Sequence, residues 1–103
     1  MSEAIVYERA LTFQAAISCG RHGYPVRVNS VSPRYIWTPA IEAQLLTELG
    51  DRESARRLVA SRNPLGGVAE PDDVAWAVVY LSSDEARMVT AADLVIDGGM
   101  IRS

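Results

Sequence analysis

The chain has 103 residues, of which 49% are hydrophobic and 22% charged, so it fits one small globular domain and excludes two conventional ones. Its 13 acidic residues outnumber its 10 basic residues, and the net charge of −3 argues against a nucleic-acid-binding protein. All the basic residues are arginines. Without a lysine, the sequence excludes Schiff-base chemistry, a P-loop lysine and a catalytic Tyr–Lys pair.

The single cysteine and the single histidine limit the site chemistry. Cys19 cannot form an internal disulfide, and His22 cannot anchor a multi-histidine metal site. We therefore expect no metal and a reduced, cytoplasmic setting. Glu3 and Glu8 lie where a signal peptide carries positive charge, which argues against export. No apolar run approaches the ~20 residues needed to span a bilayer.

The first two elements follow from apolar spacing. A helix is predicted over residues 3–20, because apolar residues recur there at helical intervals. The residues of its apolar face are Val6, Ala10, Phe13 and Ile17. A mostly buried strand is predicted over residues 26–31, where β-branched residues alternate, with Ser32 and Pro33 closing it.

Three further helices are predicted from their start signals. Thr38 is a typical N-cap before Pro39, and this helix ends at Gly50. Asp51 caps a second short helix that ends before residue 63. The third helix begins at Pro71, since proline at the first helical position has no N–H to leave unpaired.

The apolar run at residues 94–96 predicts a second buried strand. Two buried strands joined through helices indicate an α/β fold with a parallel pair and a right-handed crossover. Parallel sheets need helices on both faces and more than two strands. The sequence therefore predicts about two parallel strands with four helices, as part of a larger doubly wound sheet.

Ordered motifs along nearly the whole chain resemble one family. These are RVNSVSP at residues 27–33, PLGGVAEPDDVA at 64–75, YLSSDEA at 80–86 and LVIDGG at 94–99. The set resembles the C-terminal part of short-chain dehydrogenases/reductases. The resemblance implies a Rossmann-like fold, NAD or NADP as cofactor, and interconversion of alcohols and ketones by hydride transfer. It also implies a single partial domain over residues 1–103, with substrate-loop helices at 38–62.

Two parts of the family's machinery have no counterpart here. None of the seven glycines forms the Gly-rich turn that holds the pyrophosphate. No tyrosine is followed four residues later by a lysine, and sliding the family pattern back places that pair at about Met1 and Ile5. We therefore expect a truncated oxidoreductase-like chain that is inactive alone and does not bind the cofactor tightly by itself.

The resemblance implies cofactor-binding residues after the first strand. It assigns contacts with the nicotinamide to Pro33, Ile36 and Thr38; the alternative, which the isolated chain favours, is that Thr38 is only a helix cap. Arg34 stands where the family usually has glycine, and its side chain would crowd the cofactor. Arg34 would either pair with a phosphate or a carboxylate substrate or remain solvated.

The substrate loop of the family corresponds to the two short helices. Trp37, Ile41 and Leu45 are the predicted lining of an apolar substrate pocket; the alternative is that they pack on the sheet. No catalytic residue is assigned within the chain.

The last helix and strand, at residues 75–80 and 94–99, correspond to a surface that family members use for subunit pairing. We expect a homo-oligomer or pairing with a full-length relative there, with no nucleic-acid or membrane partner. Two alternatives to the enzyme hypothesis remain open. One is a non-enzymatic oligomerisation module, and the other is a gene remnant or a wrongly assigned start codon.

Overall fold

The computed structural model describes the backbone of residues 3–100 and the side chains of residues 9–100. The elements in chain order are α1 (Glu3–Arg21), β1 (Ser30–Pro33), α2 (Pro39–Leu49), α3 (Arg52–Ser61), α4 (Pro71–Ser82), a 3-10 turn (Asp84–Ala86) and β2 (Asp93–Ile96). Four α-helices with two paired strands confirm the predicted α/β fold class. The 3-10 turn was not predicted.

The two strands form a parallel pair. The N–H of Ser30 donates to the carbonyl of Ala92 at 3.0 Å, and the N–H of Arg34 donates to the carbonyl of Ile96 at 3.0 Å. The residue numbers rise together along the two strands, so the strands run in the same direction.

The predicted first strand was placed too early, because the regular strand begins only at Ser30. Before that point the carbonyl of Val28 accepts from the N–H of Ala91 at 2.8 Å, but the N–H of Val28 donates to the side-chain hydroxyl of Thr90 at 3.1 Å. A regular ladder of backbone hydrogen bonds has therefore not yet formed.

The helix starts were predicted well because they depend on local chemistry. The hydroxyl of Thr38 accepts from the N–H of Ile41 at 3.3 Å, immediately before Pro39 begins α2. Gly50 ends α2 in the left-handed conformation, with a φ of 87°. The carboxylate of Asp51 accepts from the N–H of Ser54 at 2.7 Å and caps α3.

Helix α4 begins at Pro71, as predicted, and Glu70 and Asp73 exchange two hydrogen bonds across its start. The N–H of Asp73 donates to the carbonyl of Glu70 at 2.9 Å. The N–H of Glu70 donates to the carboxylate of Asp73 at 2.7 Å. The carboxylate of Glu70 itself is engaged elsewhere, in an ion pair with Arg56 at 2.5 Å. The acid before the helix therefore pairs with α3 rather than acting only on the helix dipole.

The chain divides into two compact units. The first comprises Met1–Ser32 with Ala75–Val95, and the second comprises Pro33–Val74 with Ile96–Ser103. Among the described side chains, the buried apolar ones in the first unit are Ala16, Ala77 and Ala86, and those in the second unit are Trp37 and Ala55. Trp37 is therefore the one large apolar side chain buried within residues 9–100.

The helix predicted over residues 3–20 is confirmed as α1, but the described residues of its apolar face are mostly exposed. Ala10 is exposed and Phe13 is 55% exposed, while Ile17 is half-buried. The side chain of Val6 lies outside the described residues. Ala16, one position earlier on the helix than Ile17, is the buried residue at 2% exposure. Because α1 carries apolar residues on several sides, spacing alone did not identify the side that packs.

No helix within the described residues is both long enough and apolar enough to cross a membrane.

Candidate functional site

The segment that follows β1 turns sharply before it reaches α2. Tyr35 has a φ of 54°, in the left-handed region that residues with a Cβ rarely adopt. Ile36 then forms a parallel bridge with Ala69, and the N–H of Trp37 donates to the carbonyl of Ala69 at 2.7 Å. This turn and bridge place Trp37 in the second unit at the start of the two short helices.

A cavity of about 280 Å³ lies in the second unit. Its walls come from the turn, both short helices and the end of the described chain, and the lining residues are Tyr35, Trp37, Ile41, Gln44, Leu45, Leu58, Val59, Arg62 and Met100. All three residues predicted to line a substrate pocket (Trp37, Ile41, Leu45) lie in this wall. The cavity arises because α2 packs against α3 and leaves space between their apolar residues.

The indole of Trp37 is held firmly in the cavity wall. Its side chain is only 5% exposed, and the guanidinium carbon of Arg56 lies 5.0 Å from the ring centroid in a cation–π contact. Arg56 is itself fixed by its ion pair with Glu70. The buried Nε1 of Trp37 has no hydrogen-bond partner among the described residues.

Sequence reasoning missed the contributions of α3 to this cavity. Leu58, Val59 and Arg62 lie across from Ile41 and Leu45. Leu58 and Val59 belong to the apolar face of α3, but the sequence analysis did not assign them to a pocket. The signal that could have found them is that face itself, since the stripes of two short consecutive helices pack against each other.

The residues assigned to cofactor binding occupy the turn and the start of α2. Pro33 is exposed at the end of β1. In the bridge between Ile36 and Ala69, the N–H of Trp37 donates to the carbonyl of Ala69. The N–H of Ile36 does not take part in that hydrogen bond. Thr38 is the N-cap of α2, and its hydroxyl oxygen accepts while its O–H remains able to donate. The cap role of Thr38 and a second contact are chemically compatible.

Arg34 keeps an ordinary backbone conformation although it stands where the family usually has glycine. The positive φ of this turn belongs to the next residue, Tyr35. The side chain of Arg34 is half-buried, and its Nη2 is buried without a hydrogen-bond partner among the described residues. Its backbone N–H donates to the carbonyl of Ile96 at the end of the strand pair.

A larger and more open groove of about 600 Å³ also lies in the second unit. It is lined by residues of α3, by Gly66 and Gly67, and by Val68. Its arginines all have acidic partners: Arg52 pairs with Glu42 at 2.6 Å, Arg56 with Glu70 at 2.5 Å and Arg57 with Glu53 at 2.9 Å. These ion pairs neutralise the positive charge of the groove. Among its described residues, the groove therefore has no unpaired arginine to bind an anionic ligand.

The first unit holds a half-buried polar cluster around Asp93. Its Oδ1 accepts from the hydroxyls of Ser30 and Ser32, each at 2.7 Å, and its Oδ2 is paired with Arg9 at 2.7 Å. Burial acts to raise the pKa of Asp93, but the two hydroxyls and the Arg9 charge outweigh it and hold the pKa below its usual range. This cluster joins α1 to both strands.

Comparison with known proteins identifies the family. The model described as enoyl-(acyl carrier protein) reductase matches residues 8–101. The chain belongs to the short-chain dehydrogenase/reductase family. It corresponds to the C-terminal portion of the family domain. The resemblance that the motifs indicated is thereby confirmed.

Individual relatives agree with this assignment. The chain is 41% identical over 93 residues to an NADP-dependent (R)-specific alcohol dehydrogenase of Lentilactobacillus kefiri, an alignment that covers 88% of this chain and 34% of the relative. The chain thus spans about a third of the length of the curated relatives it matches.

Solved structures of short-chain dehydrogenases have the same fold. A short chain dehydrogenase family protein from Francisella tularensis superposes with a TM-score of 0.79 at 24% identity, covering 94% of this chain and 41% of that one. A 4-hydroxyisoleucine dehydrogenase complexed with NADH superposes with a TM-score of 0.70 at 32% identity, covering 94% and 37%. The predicted Rossmann-like architecture is thereby confirmed.

Proposed function

We propose that the chain forms the substrate-binding, C-terminal part of an NAD- or NADP-dependent oxidoreductase that interconverts an alcohol and a ketone. Family membership supports the reaction class. The relative from L. kefiri is named as NADP-dependent, and the structural relative was solved with NADH, which supports either nicotinamide cofactor. In this proposal residues 1–103 are one partial domain, with residues 38–62 as the substrate-recognising helices.

The observation that carries the proposal is the cavity between α2 and α3. It brings Trp37, Ile41 and Leu45 together around about 280 Å³, close to the lower end of the range for small-molecule sites. The lining is mainly aliphatic and aromatic, which suits the carbon skeleton of a small alcohol or ketone. The alternative is that these residues only pack on the sheet. That role does not explain why they line a cavity together.

The turn after β1 supports a contact with the nicotinamide end of the cofactor. When bound, the cofactor supplies or accepts the hydride. Within this chain, the N–H of Ile36 and the hydroxyl of Thr38 are groups that can orient a carboxamide, with Pro33 leading into the turn. The proposal does not extend to the pyrophosphate, since no Gly-rich turn occurs among the seven glycines.

These 103 residues are proposed to be inactive by themselves. The sequence contains no lysine, so it cannot contain the family's Tyr-x-x-x-Lys pair that would donate the proton. Catalysis then requires the remaining part of the sheet, in the same polypeptide or from another chain. A reduced compartment such as the cytoplasm fits the free Cys19.

Filling the cavity tests its role in binding. Leu45→Phe adds volume inside the cavity, whereas Leu49→Phe adds the same volume on α2 at a position that is 40% exposed. The indole N–H resonance of Trp37 is followed by NMR during titration with cyclohexanol and cyclohexanone. We expect saturable shifts in the unmodified chain and in Leu49→Phe, and binding weaker by about tenfold or more in Leu45→Phe. Equal affinity in the two variants, or no saturable shift at all, would contradict the proposal.

Exposed apolar residues of the first unit favour a second candidate function, self-association. Trp76 is 70% exposed, and Val79 and Tyr80 on the same face of α4 are 56% and 44% exposed. Leu94 of β2 is 37% exposed. Large exposed apolar side chains of this kind are typical of an interface, and we propose a second copy of the chain or a full-length relative as the partner.

Light scattering coupled to size-exclusion chromatography tests this assembly. We expect the unmodified chain to elute as a dimer or larger, and Trp76→Glu to shift it to a monomer. Leu65→Glu, at a position 85% exposed in the second unit, is the matched control and should leave the assembly intact. If the unmodified chain is monomeric and does not bind a full-length relative, the assembly function is excluded.

A further inference from the structure

The polar groups of the cavity wall are all able to donate hydrogen bonds. They belong to Tyr35, Trp37, Gln44 and Arg62, and no carboxylate is among the lining residues that the structure describes. The rest of the wall is apolar. A ligand that fits this wall has an apolar body and at least one strong acceptor.

Arg62 is distinguished from the other arginines of the two short helices by its lack of an acidic partner. Arg52, Arg56 and Arg57 each form an ion pair, at 2.6, 2.5 and 2.9 Å. Arg62, just beyond the end of α3, forms none with any described residue, although it lines the cavity. Its side chain is exposed, so the guanidinium lies at the open side of the cavity, where a charged group keeps part of its hydration.

Trp37 provides a second, independent indication of a ligand. Its side chain is 5% exposed, and its Nε1 has no acceptor among the described residues. A buried N–H without an acceptor is destabilising, and native proteins seldom leave one unless water or a ligand pairs with it. The indole lines the cavity, but its N–H is covered in the free chain, so a ligand oxygen pairs with it only after a small shift of the ring or of the residues that cover it.

We propose that the cavity binds a small carboxylate whose apolar ring or branched chain lies among Ile41, Leu45 and Leu58, with its carboxylate at Arg62. An oxygen of the same molecule accepts from Nε1 of Trp37. This inference rests on the proposed function and specifies its substrate class as hydroxy- or keto-carboxylates. Arg62 then determines specificity, since it binds the charged end and leaves the reacting carbon elsewhere in the molecule.

A pair of isosteric probes tests the charge requirement. Cyclohexanecarboxylate and cyclohexanecarboxamide have the same ring and differ in charge. Both are titrated into the chain carrying Trp76→Phe, which leaves Trp37 as its only indole, and binding is followed by the indole N–H resonance. We expect the carboxylate to bind about five- to tenfold more tightly than the amide. The preference should shrink with added salt, because Arg62 is exposed.

Substitution of Arg62 identifies the source of the preference. Arg62→Gln should abolish the preference by weakening carboxylate binding far more than amide binding, and Arg62→Lys should retain most of the preference because the charge is kept. Arg57→Gln removes an exposed arginine of the same helix that does not line the cavity, and should have no effect.

The outcomes separate this inference from the function on which it rests. Equal binding of the two probes, or a carboxylate preference that survives in Arg62→Gln, would overturn the inference and leave the cavity as a site for neutral alcohols and ketones. Failure of both cyclohexyl probes, together with cyclohexanol and cyclohexanone, to shift the indole resonance would overturn the substrate-binding role as well.

Discussion

The side-chain amide of Asn63 occupies the position that a Cβ atom at Gly98 would take. Gly98 has a φ of 63°, so its backbone conformation also disfavours a side chain. The same amide also makes two hydrogen bonds within the loop that follows α3: Asn63 Nδ2 donates to the carbonyl of Gly67 at 2.9 Å, and the N–H of Leu65 donates to Asn63 Oδ1 at 3.0 Å. Gly98 therefore allows the end of the described chain to contact the loop that follows α3.

Gly98→Ala is expected to lower the free energy of unfolding by about 2–4 kcal/mol, from the positive φ and the displacement of Asn63 together. Gly67→Ala is the matched control, because open space surrounds that position and its φ is not in the left-handed region. Its effect should remain within about 1 kcal/mol. Urea unfolding followed by circular dichroism measures both, and comparable losses would contradict the account of Gly98.

Asp93→Asn should destabilise the chain at neutral pH by about 1–3 kcal/mol, because it removes the charge that Arg9 and two serine hydroxyls bind. The pKa of Asp93 is lowered in the folded chain. Its stabilisation is thus present above the unfolded pKa of about 3.9 and is lost as pH falls through the folded pKa.

The melting temperature between pH 6 and pH 3 tests this assignment of Asp93. It should fall more steeply for the unmodified chain than for Asp93→Asn. Glu48→Gln, at an exposed position of α2, should follow the unmodified chain. Parallel curves for the unmodified chain and Asp93→Asn would show that Asp93 does not stabilise the fold through its charge.

Ala91→Gly should stabilise the chain by about 0.5–1 kcal/mol. Ala91 has a φ of 61°, and relief of about 1–2 kcal/mol of backbone strain exceeds the greater unfolded-state entropy of glycine. Ala92→Gly introduces the same entropy without relieving strain, so it should be destabilising by about 0.5–1 kcal/mol. Thermal melts of the two variants should therefore move in opposite directions; shifts of the same sign would contradict this explanation.

Features fixed by nearby residues were predictable from the sequence. The starts of α2 and α4 depend on Thr38 with Pro39 and on Pro71, and they lie where local rules place them. The start of the first strand was predicted too early, because it is set by pairing with the segment that leads into β2, where the N–H of Ser30 donates to Ala92. Alternating residues indicate an extended chain, but they do not identify the partner that makes it a strand.

The candidate site was predictable in part for the same reason. Trp37, Ile41 and Leu45 are close in sequence to a recognisable motif, and the structure places them in one cavity wall. Arg62 and Leu58 reach that wall only through the packing of α3 on α2, which no local pattern specifies. The free Nε1 of Trp37 is likewise a product of tertiary packing.

Titration of NADH with the purified chain, followed by nicotinamide fluorescence and accompanied by a circular-dichroism melt, most directly tests whether these 103 residues need the rest of the sheet to hold a cofactor. We predict a cooperative melt and no saturable change in fluorescence, since the sequence has neither the Gly-rich turn nor the Tyr–Lys pair. Saturable, stoichiometric binding of NADH by the folded chain would contradict this claim.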